Sequence, residues 1–162
     1  MTTTLEQPTT STATPTRLRF MVYGIPVAQG SKIACMNRHT GKPFVVDSAN
    51  FTNAKGEKGR LDAWRRRVEE AALAAATEAG WSQTREPITV EMTFLLPKPA
   101  RSTFDVPAVK PDLSKLFRAA EDGVGDAKIY HDDCEVVEIH CQKVYAETDC
   151  GVEIVVTKGG AL

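Results

Sequence analysis

The sequence predicts an α+β domain in the element order βββαβαββ, a single mixed β-sheet with two main helices packed on it. Three observations carry this. Apolar and polar residues alternate over 17–24 and 87–96 and again near the C-terminus, the two-residue period of strands with one buried face. Residues 59–79 place apolar side chains at three- and four-residue steps in an alanine-rich run, and a second run of that period begins at Leu113. Strands interleaved with helices in this way bury both by laying helices on a sheet.

The elements follow in order. The first seventeen residues, MTTTLEQPTTSTATPTR, are threonine-rich and nearly devoid of apolar side chains, so they bury too little surface to offset their ordering entropy. They read as a disordered tail, leaving one domain over 18–162. RLRFMVYG, 17–24, sets Leu18, Phe20 and Val22 on one strand face and ends at the turn Gly24 to Pro26. Lys32 to Met36 and Pro43 to Val46 form a hairpin around the turn NRHTGK. The long helix, 59–79, carries Leu61, Trp64, Val68, Ala71, Ala72 and Ala75 at three- and four-residue steps and stops at Gly80. The strand 87–96 has Ile88, Val90, Met92 and Phe94 on one face and Thr89, Glu91 and Thr93 on the other. After the proline-broken loop KPARSTFDVPAVKP, the second helix aligns Leu113, Leu116, Phe117, Ala120 and Val124. Residues 134–145 and 151–157 close the chain as two strands.

Composition narrows the class. A chain of 162 residues fits one domain. No apolar run approaches the ~20 residues that span a bilayer, and the N-terminus lacks the apolar segment of a signal peptide and the arginines of a transit peptide. The expectation is a cytoplasmic protein with no membrane partner. Cys35, Cys134, Cys141 and Cys150 show no paired spacing, so reduced thiols are expected. A zinc site using them with His131 or His140 would want tighter, repeated spacing. The net charge of −1 hides an asymmetry, because residues 119–162 hold 10 of the 21 acids and only 3 of the 20 Lys and Arg. A basic body around an acidic pocket suits an anionic partner and a cation.

The run KPDLSKLFRAAEDGVGDAKIYHDDCEVVEI, 110–139, concentrates those acids. Hard divalent cations take oxygen ligands, commonly one or two carboxylates with water and substrate phosphate completing the shell. Asp112, Asp132 and Asp133 suffice for such a site if they meet. A twelve-residue helix would separate the first from the last by about 18 Å, and the loop GDAKIYH reaches back up to ~23 Å. The competing reading makes Asp112 a helix cap and the acid pair a polar strand start.

Lys110-Pro111-Asp112-Leu113, then Leu116, a basic residue at 118, Asp122, Asp132-Asp133 and Val136-Val137 resemble the signature of the RusA family of Holliday junction resolvases. GIPVAQGSK, Gly24 to Lys32, resembles the opening of phage-type members, and the likeness extends over 18–157. The resemblance implies a RusA-like fold and a Mg²⁺-dependent endodeoxyribonuclease, with Mn²⁺ as the alternative ion. Its substrate would be branched DNA, above all four-way junctions, and it would act in recombination and repair as a homodimer encoded by a bacterium or phage. It places the catalytic acids on Asp112 and Asp133, with Asp132 as accessory, and the catalytic cation on Arg118. These three acids and Ser114 form the implied metal set.

Ser114 is the departure: the family's D-x-D is here Asp112-Leu113-Ser114. A hydroxyl supplies no negative charge, and Asp122, two turns along the helix, or Asp126 would have to compensate. Arg118 stabilises phosphate charge but, unlike lysine, does not give up a proton. These two departures motivate the alternative of a catalytically lapsed junction-binding protein. A third reading is a small adaptor whose acids are caps and solvated surface. Lys32, Lys98, Arg101, Lys110 and Lys115 are the expected phosphate contacts, with Lys55, Lys58, Arg60 and Arg65 to Arg67 as further cations. Ser114→Asp is expected to lower the Mg²⁺ concentration for half-maximal junction cleavage, and Ser114→Ala to raise it. Superimposable Mg²⁺ titrations of the three proteins would put Ser114 outside the ion's reach.

Overall fold

The computed structural model describes residues 15–50 and 59–159. Of the expected tail, 1–14 lie outside the described residues, as do Lys55 and Lys58. The expected α+β class and element order hold. The strands are β1 (Arg17–Tyr23), β2 (Lys32–Met36), β3 (Pro43–Asp47), β4 (Ile88–Leu96), β5 (Val136–Tyr145) and β6 (Gly151–Lys158), and the helices are α1 (Arg60–Ala79) and α2 (Leu113–Asp126). A mixed four-stranded sheet has the order β1-β6-β4-β5, and β2-β3 pair as a separate ribbon. The ribbon stands apart because Lys32 to Asp47 pair only with each other, closing the hairpin on itself.

Alternation decides which sheet face is covered. On β4 the buried residues Ile88, Val90, Met92, Phe94 and Leu96 point one way; Val152, Ile154 and Val156 of β6 and Leu18, Phe20 and Val22 of β1 continue that face by register. Leu61, Trp64, Val68 and Ala72 of α1 and Leu116, Phe117, Ala120 and Val124 of α2 join them in one core. Each such large side chain contributes roughly 1.5–3 kcal/mol by leaving water. The opposite face is polar, with Arg17 near Glu91 (3.5 Å) and Arg19 Nε donating to Glu153 (2.8 Å). α1 ends as its sequence predicts: Gly80 is left-handed (φ 65°), and the amides of Gly80 and Trp81 return to the carbonyls of Thr77 and Ala76.

β4 and β5 run parallel, whereas β4–β6 and β1–β6 are antiparallel. A parallel pair needs a long crossover, and α2 is that crossover. It crosses α1 at Gly123, where an added Cβ would lie 2.7 Å from the Arg65 carbonyl oxygen and 2.8 Å from Val68 Cβ. Gly123→Ala is therefore expected to force the helices apart at a cost of about 2 kcal/mol, lowering the melting temperature by about 4–8 °C. Calorimetry giving an unchanged midpoint would mean that the crossing relaxes without cost.

Candidate metal and DNA site

Asp112 is the N-cap of α2, with extended backbone (φ −67°, ψ 135°), and its carbonyl accepts from the amides of Lys115 and Leu116, both at 3.1 Å. Its carboxylate makes no capping hydrogen bond; it stands 3.7 Å from Lys115 Nζ and is more than half exposed. The cap reading thus accounts for the backbone and leaves the carboxylate available. The loop ahead is held by Lys143, whose Nζ donates to the carbonyls of Val109 (2.6 Å) and Pro111 (2.9 Å).

Beyond α2 the chain is led back by the segment that follows α1. Trp81 Nε1 donates to the Ile129 carbonyl, Gln83 Nε2 to that of Tyr130, and the His131 amide to that of Thr84, all within 3.1 Å. Residues 133–135, part of them expected at the start of a strand, form a 3₁₀ turn instead. The reason is a capping box: Asp132 Oδ1 accepts from the Cys134 amide at 2.9 Å, and Glu135 Oε2 accepts from the amides of His131 and Asp132. Hydrogen bonds from the Cys134 amide and thiol, and the nearby His131, hold the Asp132 carboxyl below its ordinary value.

The turn aims Asp133 at the second half of α2. Its Oδ1 lies 3.4 Å from where a Cβ on Gly125 would sit. Gly125 is thirteen residues past Asp112, about 20 Å along the axis, so one chain does not set Asp112 beside Asp133. A cleft of about 330 Å³ gathers Arg65, Asp122, Asp126, Asp132, Asp133 and the hydroxyl end of buried Tyr130. Asp122 is ion-paired with Arg65. Burial raises its carboxyl, Arg65 opposes this, and Asp133 and Asp126 add to the rise. The Tyr130 hydroxyl has no hydrogen-bond partner among the described residues, and burial, with Glu121 and Asp133 nearby, keeps it protonated.

Ser114 and Arg118 line a neighbouring groove with Lys115, Glu121, Ile139 and Cys141. Glu121 links groove and cleft: burial first, then the charges of Asp133 and Asp122, push its carboxyl from the ordinary 4.5 to about 7, with Arg118 opposing. The sequence reading passed over Glu121 in favour of Asp122. Helical phase separates them, since the i+7 position from Ser114 returns to within about 20° of its face while i+8 overshoots by about 80°.

The cations divide by place. Lys98 lies 5.6 Å from the centre of the Tyr145 ring, and Arg101 and Lys110 are exposed on the loop before Asp112. Lys115 faces Asp112, and Lys32 is on the separate ribbon. Of the arginine run, Arg65 is bound to Asp122, Arg67 Nη1 donates to the Tyr23 carbonyl (3.3 Å), and Arg66 is exposed. Among the described residues no three His, Cys, Asp or Glu side chains form a ready cage for an ion, and the four cysteines are free. The cleft's crowded carboxylates nonetheless suit a hard cation held by one or two of them, with water and phosphate completing its shell.

Glu121 yields a pH prediction for the metal-free protein. The unfolded chain loses this proton near pH 4.5 and the folded chain near 7, so folding stability falls as pH rises through that window. Glu121→Gln removes the loss, and is expected to be more stable than wild type by about 1 kcal/mol above pH 7, solvent screening of a half-exposed group allowed for. The difference should vanish at pH 4. Parallel urea titrations at both pH values would reject the assignment if the gap did not change.

A family model described as Endodeoxyribonuclease RusA matches residues 40–157. No curated protein matches the chain. The matched stretch includes β4, the α2 crossover, the acid cleft and β5, which are the parts that build the site. The chain belongs to the RusA endodeoxyribonuclease family, whose members act on branched DNA junctions.

Proposed function

We propose that this chain is a Mg²⁺-dependent endodeoxyribonuclease that resolves four-way DNA junctions by phosphodiester hydrolysis, acting as a homodimer in DNA recombination and repair. The observation that carries the reading is the row of charge along α2: Asp112 with an exposed carboxylate that makes no capping bond, Arg118 at mid-helix, and Glu121 and Asp122 at the far end, whose proton affinity is raised by burial and by the charge of Asp133. Such mutual repulsion costs stability, and a bound cation relieves it.

In this reading each Mg²⁺ is held by Asp112 of one protomer and Asp133 of its partner, because a single chain keeps the two about 20 Å apart along α2, with Asp132 as an accessory acid and Ser114 as a neutral ligand. The bound ion supplies Lewis acidity and a water of lowered pKa, and Mn²⁺ can replace it. Arg118 neutralises charge that develops on the phosphate and stays protonated throughout. Lys98, Arg101, Lys110 and Lys115 seat the backbone around Asp112, and Lys143 fixes the loop that carries them. Dimerisation follows from the substrate: a four-way junction has two-fold symmetry, and cuts in opposing strands need two sites related by it. The spread of Asp112 and Asp133 along α2 leaves each acid open to chemistry beyond its own chain. Ser114 and Arg118 favour, as the second reading, a junction-binding protein without cleavage.

Cleavage of a synthetic four-way junction separates the two readings. Asp112→Asn and Asp133→Asn are each expected to lower the cleavage rate by about 100-fold or more, with junction binding unchanged or tighter because a negative charge near phosphate is gone. Asp132→Asn should do less harm, since asparagine caps the 3₁₀ turn as well as aspartate does. Chelation with EDTA should stop cutting and added Mg²⁺ restore it. Binding without cutting by wild type would select the second reading. Light scattering should give twice the 17.7 kDa chain mass, and a monomer both with and without junction DNA would rule out paired cuts.

A further inference from the structure

The β2–β3 ribbon is the part of the fold for which the site gives no reason. A two-stranded ribbon is marginal in water unless something covers it, yet this one exposes apolar side chains on both faces. On the face shared by Lys32, Ala34, Met36, Pro43 and Val45, Met36 is 61% exposed and Val45 65%. Lys32, 65% exposed and 3.8 Å from Asp47, stands at the base of that face, and Arg38 and Lys42 flank the turn at its tip. The cations therefore bracket an apolar strip about 14 Å long.

Among the described residues the ribbon is anchored at its base. Buried Asp47 accepts from the amides of Gly30 (2.7 Å) and Ala49 (2.9 Å), and Ser31 and Ser48 exchange two further hydrogen bonds. The Gln29 amide donates to the Lys115 carbonyl at 3.0 Å, which ties this base to the first turn of α2 beside Asp112. At the tip, Asn37 Oδ1 accepts from the amides of His39 and Thr40, so the cationic turn has a defined shape.

We propose that the β2–β3 ribbon is a nucleic-acid arm that enters the branch point, with Lys32, Arg38 and Lys42 on backbone phosphates and Met36 and Val45 against unstacked bases. Apolar surface between cations matches bases between phosphates. A second copy of the same face is disfavoured, because a two-fold contact would set the three cations against their own counterparts. The proposal rests on the junction reading above and adds a surface to it; the tie through Gln29 would register the arm against the acids of α2.

The test uses the full chain in EDTA and a four-way junction carrying 2-aminopurine beside the branch point. Wild type is expected to raise the fluorescence as bases unstack. The double variant Met36→Ala/Val45→Ala should lose that rise and bind about 10-fold more weakly. Arg38→Ala/Lys42→Ala should lower the slope of log affinity against log salt by about 2. Both variants change only exposed side chains. If wild type binds the junction in EDTA and cuts it once Mg²⁺ is added, while both variants keep its affinity, fluorescence and salt slope, the arm is wrong and the nuclease reading stands. If wild type does not bind the junction, both fail. A loss of dimer mass in Met36→Ala/Val45→Ala would assign the face to a second copy and overturn the arm.

Discussion

The parallel pairing of β4 with β5 is the constraint on which the rest of the molecule depends. Antiparallel neighbours such as β1 and β6 need no helix between them, but parallel ones cannot be joined by a tight turn. The chain must leave the top of β4, cross the sheet and re-enter beside the bottom of the same strand. α2 makes that passage and is seated on the core by Leu116, Phe117, Ala120 and Val124. Gly123 lets it close on α1. The crossover also dictates that the residues entering β5 lie near the end of α2, and that juxtaposition brings Asp133 to the acids of the helix.

The site works against the stability of the fold that carries it. Asp122 and Asp126 occupy the last turns of α2, where the negative end of the helix dipole already disfavours anions, and Asp133 adds a further charge. Arg65 offsets part of this through its pair with Asp122. The raised proton affinity of Glu121 belongs to the same conflict, a half-buried acid holding a proton to about pH 7 first because it is desolvated and then because Asp133 and Asp122 beside it are charged. A helix selected for stability alone would place lysines there. The acid row is the feature that motivates the proposed cation.

Two connections give the site its frame without touching the chemistry. Lys143, on β5, reaches across to the carbonyls of Val109 and Pro111 and so fixes the approach to Asp112. Trp81, Gln83 and Thr84, just after α1, hold Ile129, Tyr130 and His131 and thereby set the path to Asp133. Each acid is positioned by an element remote from it in sequence, so loops that look unconstrained in the chain are in fact tied down.

The sequence by itself determined the elements and the family. Alternation in Ile88 to Leu96, the stripe Leu61, Trp64, Val68 and Ala72, and the glycine at 80 specify strand, helix and stop through local sterics and burial alone. The motif around Asp112, Asp132 and Asp133 was legible for the same reason, being contiguous. Tertiary structure decided what local rules do not contain. It kept the β2–β3 hairpin out of the four-stranded sheet and turned Asp122 toward Arg65. It also put Glu121 between groove and cleft, and kept Asp112 and Asp133 at different ends of α2. These outcomes depend on how whole elements come to share a surface, as in the Arg65–Asp122 pair, 57 positions apart, and that follows from the crossover and the packing of α2 on α1, not from any run of neighbours in the chain.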